Sequence, residues 1–180
     1  IVVAITAASG AIYARQLLTA LITAPQVDSI ALICSTNAEA VVQTEGVTLP
    51  ESQKIVRYDN HDLFASPASG SARWDSMVIV PASVGTLGRV ASGVSQTLIE
   101  RATDVMLKER RKLVIVAREA PYSLIHLRNM TTLTEAGAVV IPASPSFYSN
   151  PQTIEEACNT VTERILSLLG ITSQRYHWEG

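Results

Sequence analysis

The sequence predicts an α/β fold in which helices cover both faces of a parallel sheet, and two observations support this class. Short apolar runs rich in β-branched residues alternate with helical patterns almost from end to end. Each run is nearly continuous rather than alternating, which is typical of strands buried on both faces of a parallel sheet. The expected strands lie at residues 1–6, 29–34, 77–82, 112–117 and 138–143.

Apolar residues at three- and four-residue spacing predict the helices between these strands. We expect helices at 11–24, 37–45, 84–110 with a break near Gly93, 123–136 and 152–169. Residues 46–76 lack this pattern and include the stretch LFASPASGSARWD. A loop of this length in a compact domain is usually functional or mobile, and we expect it beside the carboxyl ends of the strands.

Size and composition limit the class of protein. A length of 180 residues fits one domain spanning 1–180. Hydrophobic residues make up 47% of the chain and charged residues only 17%, so we expect apolar faces that are buried between copies in a homo-oligomer. The formal net charge of −2 gives no field that would attract nucleic acid or an acidic membrane surface.

Cysteine and histidine usage indicates the compartment and argues against a metal. Cys34 and Cys158 are far apart and lack metal-ligand spacing, which favours free thiols in a reducing, cytoplasmic protein. His61, His126 and His177 are scattered, and no acidic cluster could hold magnesium on a diphosphate, so no metal is expected. No apolar run reaches the roughly 18 residues that a membrane span needs.

The segments that follow the strands point to a phosphate ligand. These exits read TAASG, CSTNA, PASVGT, REAP and PASPSFY, and four of the five carry Ser or Thr. Hydroxyl groups and free helix amides bind phosphate, although Ser and Thr also serve simply as helix caps. The loop after the first strand lacks a GxGxxG pattern, which favours a mononucleotide such as FMN over a dinucleotide.

Several charged and aromatic residues are candidates for a site, and each has a structural alternative. Arg101 and Lys108 share one helical face, where they form either a ligand site or a solvated ion-pair stripe. Arg118 and Glu119 follow a buried strand, where they form a ligand-facing pair or a structural ion pair. Tyr148 and Arg164, in and after SPSFYSNPQ, could equally be a packing aromatic and an exposed helix charge.

In combination, four segments resemble the flavin prenyltransferases of the UbiX/Pad type, within the homo-oligomeric FMN-binding flavoprotein superfamily. The resemblance runs from about residue 2 to 171. The four segments are ITAASGAIYARQLL, PASGSARWDSMVIVPASVGTLGRVASG, LIERATDVMLKERRKLVIVAREAPYSLIHLRNM and GAVVIPASPSFYSNPQTIEEACNTVTERILSLLGI.

The resemblance implies a Rossmann- or flavodoxin-like subunit of a homo-oligomer, typically a dodecamer. Members transfer a dimethylallyl group from dimethylallyl monophosphate or diphosphate to N5 and C6 of reduced FMN, without a metal. The product, prenylated FMN, is passed to a UbiD-type decarboxylase. We expect residues 172–180 to form a tail that packs on a neighbouring subunit.

The family's functional positions map onto this chain as follows. The matches to FMN-binding positions are Ala7, Ala8, Ser9, Ser35, Ser83, Val84, Gly85, Thr86 and Arg118. The matches to allylic-phosphate-binding positions are Tyr148 and Arg164, joined by Arg101 and Lys108 across a subunit interface. The matches to the groups proposed to move protons, the expected catalytic residues, are Ser9, Glu45 and Glu119.

Some positions depart from the family pattern, and two other functions stay open. Ala7 stands where the family's loop begins with Gly, and Ala82 where many members have Cys. Trp178 is displaced by one residue from a family tryptophan. The alternatives are an FMN-dependent decarboxylase of the same superfamily, whose PxMNxxMW segment is replaced here by PYSLIHLRNMTT, and a flavin-binding subunit without turnover.

Overall fold

A computed structural model describes residues 1–171 and confirms the α/β class with a six-stranded, fully parallel sheet. The tail at 172–180, with His177 and Trp178, lies outside the described residues. The strands are β1 (Val2–Ile5), β2 (Ile30–Cys34), β3 (Ile55–Tyr58), β4 (Ser76–Ala82), β5 (Lys112–Ala117) and β6 (Val139–Pro142). The helices are α1 (Ala11–Thr23), α2 (Ala38–Thr44), α3 (Val84–Ala91), α4 (Leu98–Lys108), α5 (Leu124–Glu135) and α6 (Ile154–Leu169).

The strand order is β3-β2-β1-β4-β5-β6, the order of doubly wound nucleotide-binding folds. In this order β1 pairs with β2 on one side and with β4 on the other, so the chain reverses its direction of winding between β1 and β4. Ligands of such sheets bind outside the carboxyl ends of the strands at this reversal. The fold therefore directs attention to the loops that follow β1, β2 and β4.

The sheet separates two apolar clusters, as the continuous strands predict. On one face Val3, Val78 and Val114 pack with α1 and α6. On the other face their sequence neighbours, among them Met77 and Leu113, pack with α3 and α4. Successive side chains point to opposite faces, so a strand between two helical layers must be apolar at every position.

The sequence analysis missed β3, which lies in the segment 46–76 that was expected to be a loop. Its burial differs from that of the central strands, because Val56 and Arg57 are exposed while Ile55 and Tyr58 are half-buried. As an edge strand it pairs only with β2 and lacks a continuous apolar run. The same segment contains a short 3-10 helix, Ser66–Ala68.

The long helix expected at 84–110 is two helices with a break at the expected place. Helix α3 ends at Ala91, and Gly93 has a φ of 74°, a left-handed conformation that glycine adopts without strain. Helix α4 then begins after Thr97, whose side chain forms a capping box with Glu100. Among residues 1–171, no helix is both long and apolar enough to cross a membrane.

Candidate functional site

A cavity of about 350 Å³ opens at the reversal of the sheet, beside the exits of β1, β2 and β4. Most of its lining side chains are polar, and few of them are charged. The lining residues are Ala7, Ser35, Thr36, Asn37, Asn60, Ser83, Thr86, Arg89, Gln96, Thr97, Ile99 and Glu100. Four of the expected flavin-binding residues, Ala7, Ser35, Ser83 and Thr86, thus lie together in it.

Thr6 connects the ends of β1 and β4 at this cavity. Its buried hydroxyl donates a hydrogen bond to the Pro81 carbonyl at 2.8 Å and accepts one from the Ser83 backbone N–H at 2.8 Å. Ser83 in turn caps α3, where its hydroxyl accepts a hydrogen bond from the Thr86 backbone N–H. These bonds hold the N-terminus of α3 at the cavity, where free helix amides favour an anion.

Glu45 reaches the loop after β1 from the C-terminus of α2. Its carboxylate accepts hydrogen bonds from the backbone N–H groups of Gly10, at 2.9 Å, and Ala11, at 2.7 Å, and it also bonds the Ser9 side chain. Burial alone would raise the pKa of Glu45, but these hydrogen bonds and the charge of Arg118 outweigh it, so its pKa is lowered. The first loop is therefore held at Ser9, Gly10 and Ala11 by a carboxylate whose pKa is lowered.

Gly10, and not Ala7, is the position of this loop that requires glycine. Gly10 has a φ of 110°, and a Cβ there would stand 2.8 Å from the ring of Tyr13. Ala7 is exposed and does not have a positive φ. The departure from the family pattern at Ala7 therefore causes no positive-φ backbone strain, and the next residue, Ala8, is buried.

Arg118, directly after β5, lies near the same loop. Its side chain is exposed, and its charge lowers the pKa of both Glu45 and Tyr13. Burial and the neighbouring Cys158 nevertheless raise the pKa of Tyr13 to about 12. The Tyr13 hydroxyl donates to the Ala143 carbonyl at 3.3 Å, which ties α1 to the exit of β6. Ser9, Glu45 and Arg118 thus lie close together around the loop after β1.

Of the remaining expected residues, Glu119 directly follows Arg118, and the others lie elsewhere on the chain. Glu119 is half-buried and accepts a hydrogen bond from its neighbour Ala120. Arg101 pairs with Asp104 at 2.8 Å and donates to the Ala68 carbonyl, and Lys108 pairs with the adjacent Glu109. Arg101 and Lys108 thus each form an ion pair, which is the structural alternative for these two residues, and neither lines the 350 Å³ cavity.

Tyr148 and Arg164 lie near the exit of β6. Tyr148 is 80% exposed. Arg164 lines a separate cavity of about 300 Å³ with Ser144 and Ser146. Of the four residues expected to bind the allylic phosphate, Arg164 alone lines one of the three cavities described for residues 1–171. Val84 and Gly85 complete the first turn of α3 beside Ser83.

Sequence analysis missed an ion pair in the main cavity. Arg89 bonds Glu100, which is only 2% exposed and also accepts from the backbone N–H groups of Gln96 and Thr97. Burial raises the pKa of Glu100, but these hydrogen bonds outweigh it and leave that pKa lowered. The spacing of Thr97 and Glu100 is that of a capping box, so the role of Glu100 at the start of α4 was predictable from the sequence. The spacing does not predict the contact with Arg89.

The described residues offer no cluster of His, Cys, Asp or Glu side chains that could hold a metal ion. His126 instead caps α5, where its Nδ1 accepts a hydrogen bond from the Ser123 backbone N–H. His61 lines a neighbouring cavity of about 340 Å³ with Arg57 and Asp59.

Comparison with known proteins gives full-length matches. The Flavoprotein family model matches residues 1–174. A flavin prenyltransferase UbiX of Methanocaldococcus jannaschii is 42% identical over 179 residues, covering 98% of this chain and 96% of that protein. A dodecameric FMN-dependent UbiX-like decarboxylase from Escherichia coli O157:H7 is 35% identical with a TM-score of 0.92, covering 99% of this chain and 98% of that one.

A further solved structure is informative because of its ligands. AnUbiX (PadA1), in complex with FMN and dimethylallyl pyrophosphate, is 40% identical with a TM-score of 0.89, covering 99% of this chain and 97% of that one. Full-length identity of about 40%, the shared fold and the polar cavity at the sheet's reversal agree with the resemblance read from the sequence. The chain belongs to the flavoprotein family and, within it, to the UbiX-type flavin prenyltransferases.

Proposed function

We propose that this chain transfers a dimethylallyl group from dimethylallyl monophosphate or diphosphate to N5 and C6 of reduced FMN. The observation that carries the proposal is the 40% identity, over 99% of the chain, to a protein whose structure is in complex with FMN and dimethylallyl pyrophosphate. The product would be prenylated FMN, and we propose a UbiD-type decarboxylase as its recipient. Two free cysteines, Cys34 and Cys158, favour a reducing, cytoplasmic compartment for this work.

The cavity at the sheet's reversal fits FMN. It offers the Ser35, Ser83 and Thr86 side chains and the start of α3, a donor set suited to one phosphate group. The flavin would be contacted from the loop after β1 by Ala7, Ala8 and Ser9. It would also be contacted from the first turn of α3 by Val84 and Gly85, and from the end of β5 by Arg118. When bound and reduced, the flavin supplies the nucleophilic atoms of the reaction.

Ser9, Glu45 and Glu119 are the groups that we propose move protons. Glu45 bonds the Ser9 side chain, so a proton could pass through the Ser9 hydroxyl to the carboxylate. Glu119 is half-buried beside Arg118 and can supply a second acceptor.

Departure of the allylic phosphate requires positive charge around the leaving group. Arg101, Lys108 and Arg164 would supply that charge and Tyr148 a hydrogen bond. Because Arg101 and Lys108 lie outside the main cavity of their own chain, we propose that they act in the site of a neighbouring subunit. A homo-oligomer, dodecameric as in the Escherichia coli relative, would bring these groups together.

The decisive experiment is to incubate the purified protein with reduced FMN and either allylic phosphate, and to weigh the flavin by mass spectrometry. A gain of one C5 unit is expected. If the flavin gains no C5 unit with either phosphate, the assignment as a prenyltransferase is overturned. The decarboxylase named among the relatives is tested in parallel by adding an aromatic α,β-unsaturated acid and measuring CO₂. If the flavin keeps its mass and no CO₂ is released, the protein is a flavin-binding subunit without turnover.

A further inference from the structure

Among the described residues that line the 350 Å³ cavity, Arg89 is the only cation, and the family resemblance gives it no role. It lies on α3, one helical turn after the Ser83–Thr86 segment that we propose contacts the flavin. The other lining residues are neutral except for Glu100. A positive group at this place would act directly on an anionic ligand in the cavity.

The guanidinium of Arg89 folds back over the first turn of α3. Its Nη2 donates to the Thr86 hydroxyl at 3.3 Å. Its Nη1 lies 3.5 Å from the point where a Cβ at Gly85 would stand. Side chains on helices lean toward the N-terminus, so an arginine three residues after Thr86 naturally reaches the helix start. The group is half-exposed and therefore accessible from the cavity.

Glu100 holds the opposite edge of this guanidinium. One carboxylate oxygen lies 2.5 Å from Arg89 Nε, and the other accepts hydrogen bonds from the backbone N–H groups of Gln96 and Thr97, directly before α4. Glu100 is buried and fully hydrogen-bonded, so it acts as a fixed support for Arg89. Because Nε is bonded to Glu100, the edge of the guanidinium formed by Nη1 and Nη2 faces the start of α3.

We propose that Arg89, positioned by Glu100, binds the phosphate of FMN and makes the site select FMN over riboflavin, the flavin without a phosphate. The phosphate would lie between the Nη edge of Arg89, the Ser83 and Thr86 hydroxyls and the free amides of the first turn of α3. Arginine binds phosphate through two parallel N–H groups, which suits a fixed guanidinium edge. This inference rests on the proposed function only in taking a flavin as the ligand.

The test is the dissociation constant of flavin-free protein for FMN and for riboflavin, measured by isothermal titration calorimetry. In Arg89→Met we expect FMN to bind about tenfold to a hundredfold more weakly, because charged hydrogen bonds are lost, while riboflavin binding changes less than about twofold. Arg89→Lys keeps the charge but not the planar edge, so an intermediate loss is expected. Arg15→Met is the matched control, since Arg15 also pairs with a glutamate but lies on α1.

Removing Arg89 leaves Glu100 buried without its partner, so thermal unfolding of each variant is recorded first. If Arg89→Met does not fold, Arg89→Lys carries the test alone. An equal loss for both flavins, or no loss for either in a folded variant, would show that Arg89 serves only the ion pair and would overturn the proposal. The calorimetric titrations contain flavin but no allylic phosphate. Their result therefore does not depend on whether the protein transfers a prenyl group in the mass-spectrometric assay.

Discussion

At the residue scale, Glu45 couples the first loop to pH. Its folded pKa is lowered from an ordinary value of 4.5, so its contribution to stability is present above that value and is lost as the pH falls through the folded pKa. We predict that Glu45→Gln lowers the free energy of unfolding at pH 7 by about 1 kcal/mol, since the carboxylate serves the amides that begin α1. Denaturant titrations from pH 7 to pH 3 measure this difference.

The difference between wild type and Glu45→Gln should shrink as the solution is acidified. Glu51→Gln changes an exposed carboxylate in the segment before β3 and serves as the control, with little effect at any pH. A Glu45→Gln deficit that stays constant from pH 7 to pH 3 would contradict the ionic role.

Gly10 and Gly46 give a matched pair for backbone strain. Both have a positive φ, but a Cβ at Gly10 would meet the buried Tyr13 ring, whereas a Cβ at Gly46 meets nothing within 4 Å. We expect Gly10→Ala to cost about 3 kcal/mol of folding free energy and Gly46→Ala about 1 kcal/mol. Urea unfolding measures both, and equal costs would show that strain alone, without the clash, sets the requirement.

Glu119 tests the proposed movement of protons. Glu119→Gln removes the proton acceptor but keeps the side chain's shape, so ring closure at C6 should slow by a factor of about 100 or more while FMN stays bound. Rapid-quench mass and absorbance measurements follow the reaction. Loss of bound FMN in this variant would instead assign Glu119 a structural role.

At the element scale, Arg111 fastens the segment before β4 to the start of β5. Its guanidinium donates to the carbonyls of Gly70, Ala72 and Trp74. Arg111→Lys keeps the charge but cannot make all of these bonds, so we predict roughly tenfold faster hydrogen exchange in residues 69–75. Arg128→Lys, on the exposed side of α5, is the control and should leave that exchange unchanged.

The elements that the sequence predicts well are those with a repeated pattern. The central strands are apolar beyond their first residues, and α6 has a clear helical period and a terminal glycine, Gly170, so both are predictable from local sequence. The edge strand β3 is not, because only its pairing with β2 makes it a strand.

The candidate site was likewise predictable only in part. Ser35, Ser83 and Thr86 were predictable because they follow parallel strands, whose carboxyl ends lie at the same edge of the sheet. Arg89 and Glu100 come from two successive helices, and their contact depends on the angle between α3 and α4, which no local pattern encodes.

At the scale of the whole molecule, one chain leaves an apolar surface uncovered. On and beside α5, Leu124 is 60%, Ile125 68% and Leu127 47% exposed, and Tyr122 lies next to them. A second copy is the occupant that fits, given the dodecameric relative. We predict that Ile125→Lys reduces the assembly to smaller species, as measured by analytical ultracentrifugation.

Loss of assembly should affect prenyl transfer and FMN binding to different extents. If Arg101 and Lys108 serve a neighbouring subunit, the dissociated Ile125→Lys protein should lose prenyl transfer more severely than FMN binding. Thr19→Lys, at an exposed position on α1, is the control and should keep the wild-type size and rate. Full transfer by isolated subunits would show that one chain suffices.

The hydrogen bonds of Glu45 have a consequence for how a ligand lies in the cleft. Helices α1 and α3 both begin beside the reversal of the sheet, and both present free amides there. At α1 those amides already face a carboxylate of the protein, while at α3 they face the cavity. We therefore expect an elongated ligand with one anionic end to lie with that end toward α3 and its uncharged end toward the loop after β1.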